Sequence, residues 1–206
     1  MTHYISHFLS FLCDLLVPPR PTERTIASLT PDDVRNLRSL DTGALPYHNE
    51  QVRALVWEVK YYANPHALSL CGPVLAEALM DVAAESLGKP LLLPIPMHPA
   101  RRASRGHNQT ELLAKAALPY IQDAVMYAPN ILVRTRTTTA QQGLPEHKRR
   151  TNVARSMMVL TPEEVRGRTC IVLDDVMTTG ATLKEAERAL RASGASAVEL
   201  IALAHS

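Results

Sequence analysis

The stretch from Cys170 to Thr182 reads Cys-Ile-Val-Leu-Asp-Asp-Val-Met-Thr-Thr-Gly-Ala-Thr, and it constrains the fold more than any other part of the chain. Cys170 to Leu173 is a short apolar, β-branched run, which fits a strand covered on both faces in a parallel sheet. Two carboxylates, Asp174 and Asp175, follow where such a strand is expected to end. Then come Thr178, Thr179, Gly180, Ala181 and Thr182. A charged segment, Leu183 to Ser193, carries Leu183, Ala186, Ala189 and Leu190 at helical spacing. The predicted order is strand, acidic pair, hydroxyl- and glycine-bearing loop, helix.

Each part has a physical use. A helix start offers unpaired N–H groups and the positive end of the helix dipole, a good seat for a phosphate. Gly180 lets the backbone approach that phosphate closely, and the threonine hydroxyls add donors. Ionised Asp174 and Asp175 are acceptors, suited to two vicinal sugar hydroxyls or to waters on a metal ion. A phosphate seat beside a diol seat describes a ribose 5-phosphate. The plain alternative is a solvated loop after a core strand, with Thr as a helix cap.

Ile171 to Thr182 closely resembles the phosphoribosyl-pyrophosphate (PRPP) signature of type I phosphoribosyltransferases. The resemblance implies that Asp174 and Asp175 hold the ribose 2′- and 3′-hydroxyls. It also implies that the loop through Val176, Met177, Thr178, Thr179, Gly180, Ala181 and Thr182 wraps the 5-phosphate. A Walker-B strand also ends in acids, but no glycine here stands in a G-x-x-x-x-G-K-[ST] frame, which disfavours a P-loop ATPase.

The chain has 206 residues, enough for one domain with an attached segment and a proper core. A net charge of +2 is too small to argue for nucleic acid as a bulk partner. Cys13, Cys71 and Cys170 are far apart and form no C-x-x-C pair, so buried thiols in a reducing cytoplasm are expected, with no zinc site. Tyr4 to Val17 is apolar, but it contains Asp14, lacks a basic start and is too short to span a bilayer. It is expected to be an amphipathic helix that packs on the domain or on a partner.

Pro18 to Thr30 reads as extended linker, and Thr30-Pro31-Asp32-Asp33 as a capped helix start. Residues 1–46 are accordingly assigned to a helical segment and linker, and 47–206 to the main domain. Tyr47 to Tyr62, ending near Lys60 and Tyr61, and His66 to Leu87, closed by Gly88, have helical spacing. Leu91 to Leu93 is a buried strand running into Pro94-Ile95-Pro96-Met97-His98-Pro99-Ala100-Arg101-Arg102, a stiff loop whose arginines bind anions. Arg105-Gly106-His107-Asn108-Gln109 leads into a helix with Leu112, Leu113 and Ala116. Ile131 to Val133 reads as a third strand. Arg134 to Arg150 is basic, threonine-rich and without apolar period, as a lid over a polyphosphate would be; a solvated basic face is the alternative. Ala197 to Ala204 makes a last strand. Strands alternating with helices predict a parallel α/β sheet with ligands at the carboxyl ends of the strands.

Several short motifs extend the resemblance to the ComF branch of the phosphoribosyltransferases, named for a bacterial competence protein. They are Lys60-Tyr61; Pro94, Pro96, His98 and Arg101; Arg105-Gly106 with Asn108-Gln109; and Gln141, Leu144, Arg149-Arg150 and Asn152-Val153. The likeness runs from about Tyr47 onward. Relatives usually begin with a cysteine-rich zinc module after the first Pro-Pro; this chain has Pro18-Pro19-Arg20-Pro21 and no cysteine there. His107 stands where Phe is common.

The resemblance implies displacement of pyrophosphate from C1 of PRPP by a nucleophile that nothing in the sequence identifies. Met97, His98, Pro99 and Arg101 would face the pyrophosphate. Mg²⁺ would enter with PRPP, through waters on Asp174 and Asp175. Lys60, Arg105, Gln141, Lys148 and Arg149 would belong to the lid and its surroundings. The competing expectation is a PRPP-binding adaptor without turnover, acting with DNA-uptake machinery; assembly of several copies is compatible with either.

Overall fold

A computed structural model of the chain describes residues 20–135 and 155–206. Helices α1 (Pro21–Ile26) and α2 (Pro31–Asn36) lead to a two-residue strand β1 (Leu45–Pro46). Helices α3 (Glu50–Tyr62) and α4 (Pro65–Glu85) follow, then β2 (Leu91–Pro94), α5 (Pro99–Arg105), α6 (Gln109–Ala117) and β3 (Met126–Tyr127). The chain continues through β4 (Leu132–Arg134), β5 (Met157–Val159), α7 (Pro162–Val165), β6 (Thr169–Met177), α8 (Ala181–Ala192) and β7 (Ala197–His205).

One five-stranded sheet has the order β1–β7–β6–β2–β3, with every pair parallel. The predicted parallel α/β architecture is therefore present. Central strand β6 reads buried at Cys170 through Asp175, as a strand between two helical layers must. Its residues alternate between two cores. Ile171 and Leu173 pack with α3, α4 and α6 through Val59, Leu70, Val74 and Leu113. Cys170 and Val172 pack with Leu183, Ala186 and Leu190 of α8 and with Leu132 and Met157.

Local chemistry starts the helices. Thr30 Oγ1 accepts from Asp33 N at 3.2 Å while Asp33 Oδ2 accepts from Thr30 N at 2.8 Å, a reciprocal cap that bears out the predicted start. Asn49 caps α3 and Asn64 caps α4, with Ala63 between them in a left-handed conformation (φ 48°) that ends α3 sharply. Helix α4, 21 residues with mean hydropathy 1.5, is long and apolar enough to cross a membrane, yet Ala67, Leu70, Cys71, Val74, Leu75 and Leu79 are buried in the core.

Three expectations are corrected. The extended linker from Pro18 to Thr30 contains α1: Pro21 opens it, Glu23 accepts from Arg20 N at 3.4 Å, and Ile26 is fully buried. Ile26, Leu29, Val34 and Leu45 share the core of α3 and α4. The strand at Ile131 to Val133 does not join the parallel sheet. It becomes β4, paired antiparallel with β5 in a separate ribbon, while Met126 and Tyr127 take the sheet edge beside Leu91 and Leu92. Two paired residues are too few to leave a period in the sequence. Finally, β6 does not stop before the acids; it runs through them to Met177, which pairs with His205.

Candidate functional site

A cavity of about 480 Å³ opens at the carboxyl ends of β2 and β6, lined on one side by Lys60, Tyr61, Arg105, Asn108 and Gln109. Ile95, Pro96, Met97, His98, Arg101, Ser104 and Arg134 form the other side, and Asp174, Asp175, Val176 and Thr182 the floor. The carboxyl edge of a parallel sheet is where such folds bind ligands, because the βα loops converge there.

The floor is the end of β6. Asp174 and Asp175 are each 8% exposed. Asp174 Oδ1 accepts from Asp175 N at 2.9 Å, and Asp175 Oδ1 from Val176 N at 3.0 Å. Their further partners differ. Gln109 Nε2 donates to Asp175 Oδ2 at 3.4 Å, and Lys60 Nζ lies 3.9 Å from the same oxygen. Asp174 has Arg134 near it. Burial, and then the neighbouring Asp175 charge, push the Asp174 carboxyl well above its usual range, with Arg134 opposing.

The turn after β6 is built as predicted. Gly180 has φ 69°, a conformation that disfavours a side chain, and α8 starts at Ala181. Thr179 Oγ1 is a buried hydroxyl without a hydrogen-bond partner among the described residues. A buried donor at a helix start fits an oxyanion ligand. Thr182 lines the cavity, Thr178, Thr179 and Gly180 form the turn beside it, and Ala181 opens α8.

The loop after β2 is short. Ile95 N continues the ladder to Leu173 O at 2.8 Å, and His98 caps α5, its Nδ1 accepting from Ala100 N at 3.3 Å. Pro99 thus begins a helix, and the stiff loop is confined to Ile95 through His98. Met97, His98 and Arg101 line the cavity; Pro99 stands outside its lining.

Helix α6 is stapled to this loop. Ile95 O accepts from Asn108 Nδ2 at 3.1 Å and Thr110 Oγ1 at 2.7 Å. That anchor holds Gln109 over Asp175. On the same side, His107 Nε2 donates to Lys60 O at 3.2 Å. The carbonyl belongs to the last turn of α3, which has no partner within its own helix. Arg105 reaches Gln109 Oε1 at 3.1 Å and lies 5.1 Å from the Tyr61 ring centroid.

The structure therefore brings together Lys60, Met97, His98, Arg101, Arg105, Asp174, Asp175, Val176 and Thr182. Gln141, Lys148 and Arg149, with most of the expected lid, lie outside the described residues, as do Asn152, Val153 and the apolar segment Tyr4 to Val17. Two contributors take places that the sequence did not give them. Gln109 stood in a recognised motif, but its partner Asp175 is 66 residues away. Arg134 read as the first residue of a lid; it lines the cavity wall instead.

Lys60, Arg101, Arg105 and Arg134 face the two carboxylates, an excess of positive charge that suits a polyanion. Residues 76–206 match the phosphoribosyl transferase domain family. Competence protein F of Haemophilus influenzae is 31% identical over 114 residues, 55% of this chain and 49% of that protein. DNA utilization protein YhgH of Salmonella typhi is 30% identical over 150 residues, 71% of this chain and 63% of that protein. The chain spans about half the length of several such relatives. Among solved structures, the glutamine PRPP amidotransferase from B. subtilis aligns with 72% of this chain and 30% of its own, at 18% identity and TM-score 0.42. The chain belongs to the phosphoribosyl transferase domain family, with competence protein F and YhgH among its relatives.

Proposed function

We propose that the chain binds PRPP with Mg²⁺ and transfers its 5-phosphoribosyl group to an acceptor, releasing pyrophosphate. The observation that carries this reading is the pairing of Asp174 and Asp175 with the Gly180 turn at the start of α8, on one edge of a cavity rich in arginine and lysine. Asp174 and Asp175 would hold the ribose hydroxyls. The turn, with Thr179 Oγ1 and Thr182, would hold the 5-phosphate. Met97, His98 and Arg101 would face the pyrophosphate. As the C1–O bond breaks, the electron pair leaves with pyrophosphate, and fixed cations around the leaving group stabilise that charge.

The donor set fits Mg²⁺. Among the described residues no group of three or more His, Cys, Asp or Glu side chains is placed to hold a metal. Two neighbouring carboxylates are hard oxygen donors of the kind Mg²⁺ uses when substrate phosphates and waters complete its shell. Bound there, Mg²⁺ would supply neutralisation of the pyrophosphate.

The names of the relatives, competence protein F and DNA utilization protein YhgH, favour a second reading: a PRPP-binding adaptor acting with DNA-uptake machinery without turnover. A screen for PRPP-dependent pyrophosphate release over purine, pyrimidine and amine acceptors separates the two. Release with one acceptor class supports the transferase. Calorimetric binding of PRPP–Mg²⁺ with no release across the screen supports the adaptor, and absence of binding removes both.

A further inference from the structure

Arg134 closes β4, and Met157 opens β5 directly opposite it in the antiparallel ribbon. Arg134 Nε donates to Pro96 O at 3.2 Å, which fixes the guanidinium against the loop after β2. The side chain lines the cavity with Arg101 and Asp174. Burial lowers its pKa, with the Asp174 and Glu185 charges opposing and Arg101 adding to the effect. A guanidinium nevertheless stays charged at neutral pH. Two like charges set in one cavity wall repel each other, and a polyanion between them relieves that repulsion.

Met157 is held from its other side by α8. Its N–H donates to Glu185 Oε1 at 3.2 Å, and its carbonyl accepts from Arg188 Nη2 at 3.3 Å. Arg188 in turn pairs with both oxygens of Glu185, at 2.8 and 2.9 Å. Glu185 is only 6% exposed. Burial alone would raise its pKa, but hydrogen bonds from Arg188 and from the Met157 and Arg155 backbone hold the carboxyl below its usual range. The helix that begins at the Gly180 turn thus grips the ribbon at the residue paired with Arg134.

We propose that Arg134 is a second guanidinium, beside Arg101, for the pyrophosphate group of PRPP, and that Glu185 is a positioning residue that fixes Arg134 through Met157. This rests on the PRPP reading above and adds two residues that the PRPP signature does not contain. It couples the two ends of the substrate mechanically: the helix that seats the 5-phosphate also sets the arginine that meets the leaving group.

The test is isothermal titration of the full chain with three probes in Mg²⁺ buffer: PRPP, inorganic pyrophosphate and ribose 5-phosphate. Arg134→Gln should weaken PRPP and pyrophosphate roughly tenfold or more and leave ribose 5-phosphate within about twofold, since only charge-assisted bonds to the pyrophosphate are lost. Glu185→Ala should show the same pattern, and Glu185→Gln, which keeps an acceptor for Met157 N, should largely restore it. Should Glu185→Ala not fold, Arg188→Ala removes the hold on Met157 O and is expected to show the pattern in weaker form. Equal pyrophosphate affinity in wild type and Arg134→Gln overturns the Arg134 assignment. Parallel loss of all three probes in the Glu185 or Arg188 variant marks general loosening of α8 and overturns the positioning role. Wild type that binds pyrophosphate but not PRPP refutes the PRPP reading while the Arg134 comparison still stands or falls on pyrophosphate. Wild type that binds neither overturns both.

Discussion

Arg20 and Glu58 form a bidentate pair, Nε to Oε1 at 3.1 Å and Nη2 to Oε2 at 2.7 Å, with the Glu58 side chain wholly buried. Thr22 Oγ1 and Asn64 Nδ2 donate to the same carboxylate at 2.5 and 2.9 Å. The pair clamps the start of α1 to the helix that delivers Lys60. Burial would raise the Glu58 pKa, but the three donors outweigh it and hold the carboxyl below its usual range. Stability from this group is therefore present above the unfolded pKa of about 4.3 and lost as pH falls through the folded value. Arg20→Ala should cost about 1–3 kcal/mol, less than for a fully buried pair because Arg20 is 37% exposed and two other donors remain. Thermal melts at pH 7 test this; an unchanged Tm rejects the clamp.

Asp174→Asn should separate stability from binding. The folded state raises the Asp174 pKa above the unfolded value of about 3.9, so ionisation destabilises the fold as pH climbs from about 4 toward the folded value. Asn never ionises. The variant should melt higher than wild type at pH 8, with the gap closing toward pH 4, and bind PRPP–Mg²⁺ poorly. Parallel melting curves across that pH range would contradict the desolvation argument.

For Asp175→Asn the expectation is a fold that survives and a weaker ligand. Losing a charged acceptor for a ribose hydroxyl should cost on the order of 1–3 kcal/mol of PRPP binding. Unchanged calorimetry, with wild-type binding established, would sink its role.

Gly72 and the backbone of Ala116 touch where α4 crosses α6. A Cβ on Gly72 would lie 2.4 Å from Ala116 O, and backbone cannot swing aside as a side chain can. Helix propensity favours Ala over Gly by about 1 kcal/mol, yet overpacking of this kind costs about 1–3 kcal/mol. The steric cost wins, so Gly72→Ala should lower the denaturant midpoint at constant m-value.

His107→Phe removes the hydrogen bond to Lys60 O while keeping an aromatic ring there. Lys60 then loses its tether near Asp175. We expect a modest loss of PRPP affinity, about threefold, with stability within about 1 kcal/mol, because the released carbonyl sits at a helix end that water can reach. A larger loss of stability than of affinity would make His107 a structural residue only.

Much of the site was legible because its parts are consecutive. The β-branched run, the acids, Gly180 and the following helix lie within one short segment, so spacing alone ordered them. Arg134, Gln109 and Glu185 were not legible, since each acts through a partner on another element: Pro96, Asp175 and Met157. The fold followed the same division. Long helices α3 and α4 announced themselves by period. Strand β3 did not, since its place comes from Pro90 O and Leu92 O accepting from Met126 N and Ala128 N. Helix α1 was hidden by the run of prolines at its start, of which Pro21 opens the helix rather than preventing it.

Alternation along β6 gives the two carboxylates separate neighbourhoods. Asp175 continues the Ile171–Leu173 face toward α3 and α6, and Asp174 the Cys170–Val172 face toward α8. The sheet is thus a partition with one acid posted on each side. A substitution around Lys60 or Gln109 reaches Asp175 first, and Asp174 only through Asp175. Under the proposed chemistry, drift in the α3–α6 layer retunes the acid beside Lys60 and Gln109 while the grip of α8 on the β4–β5 ribbon stays in place.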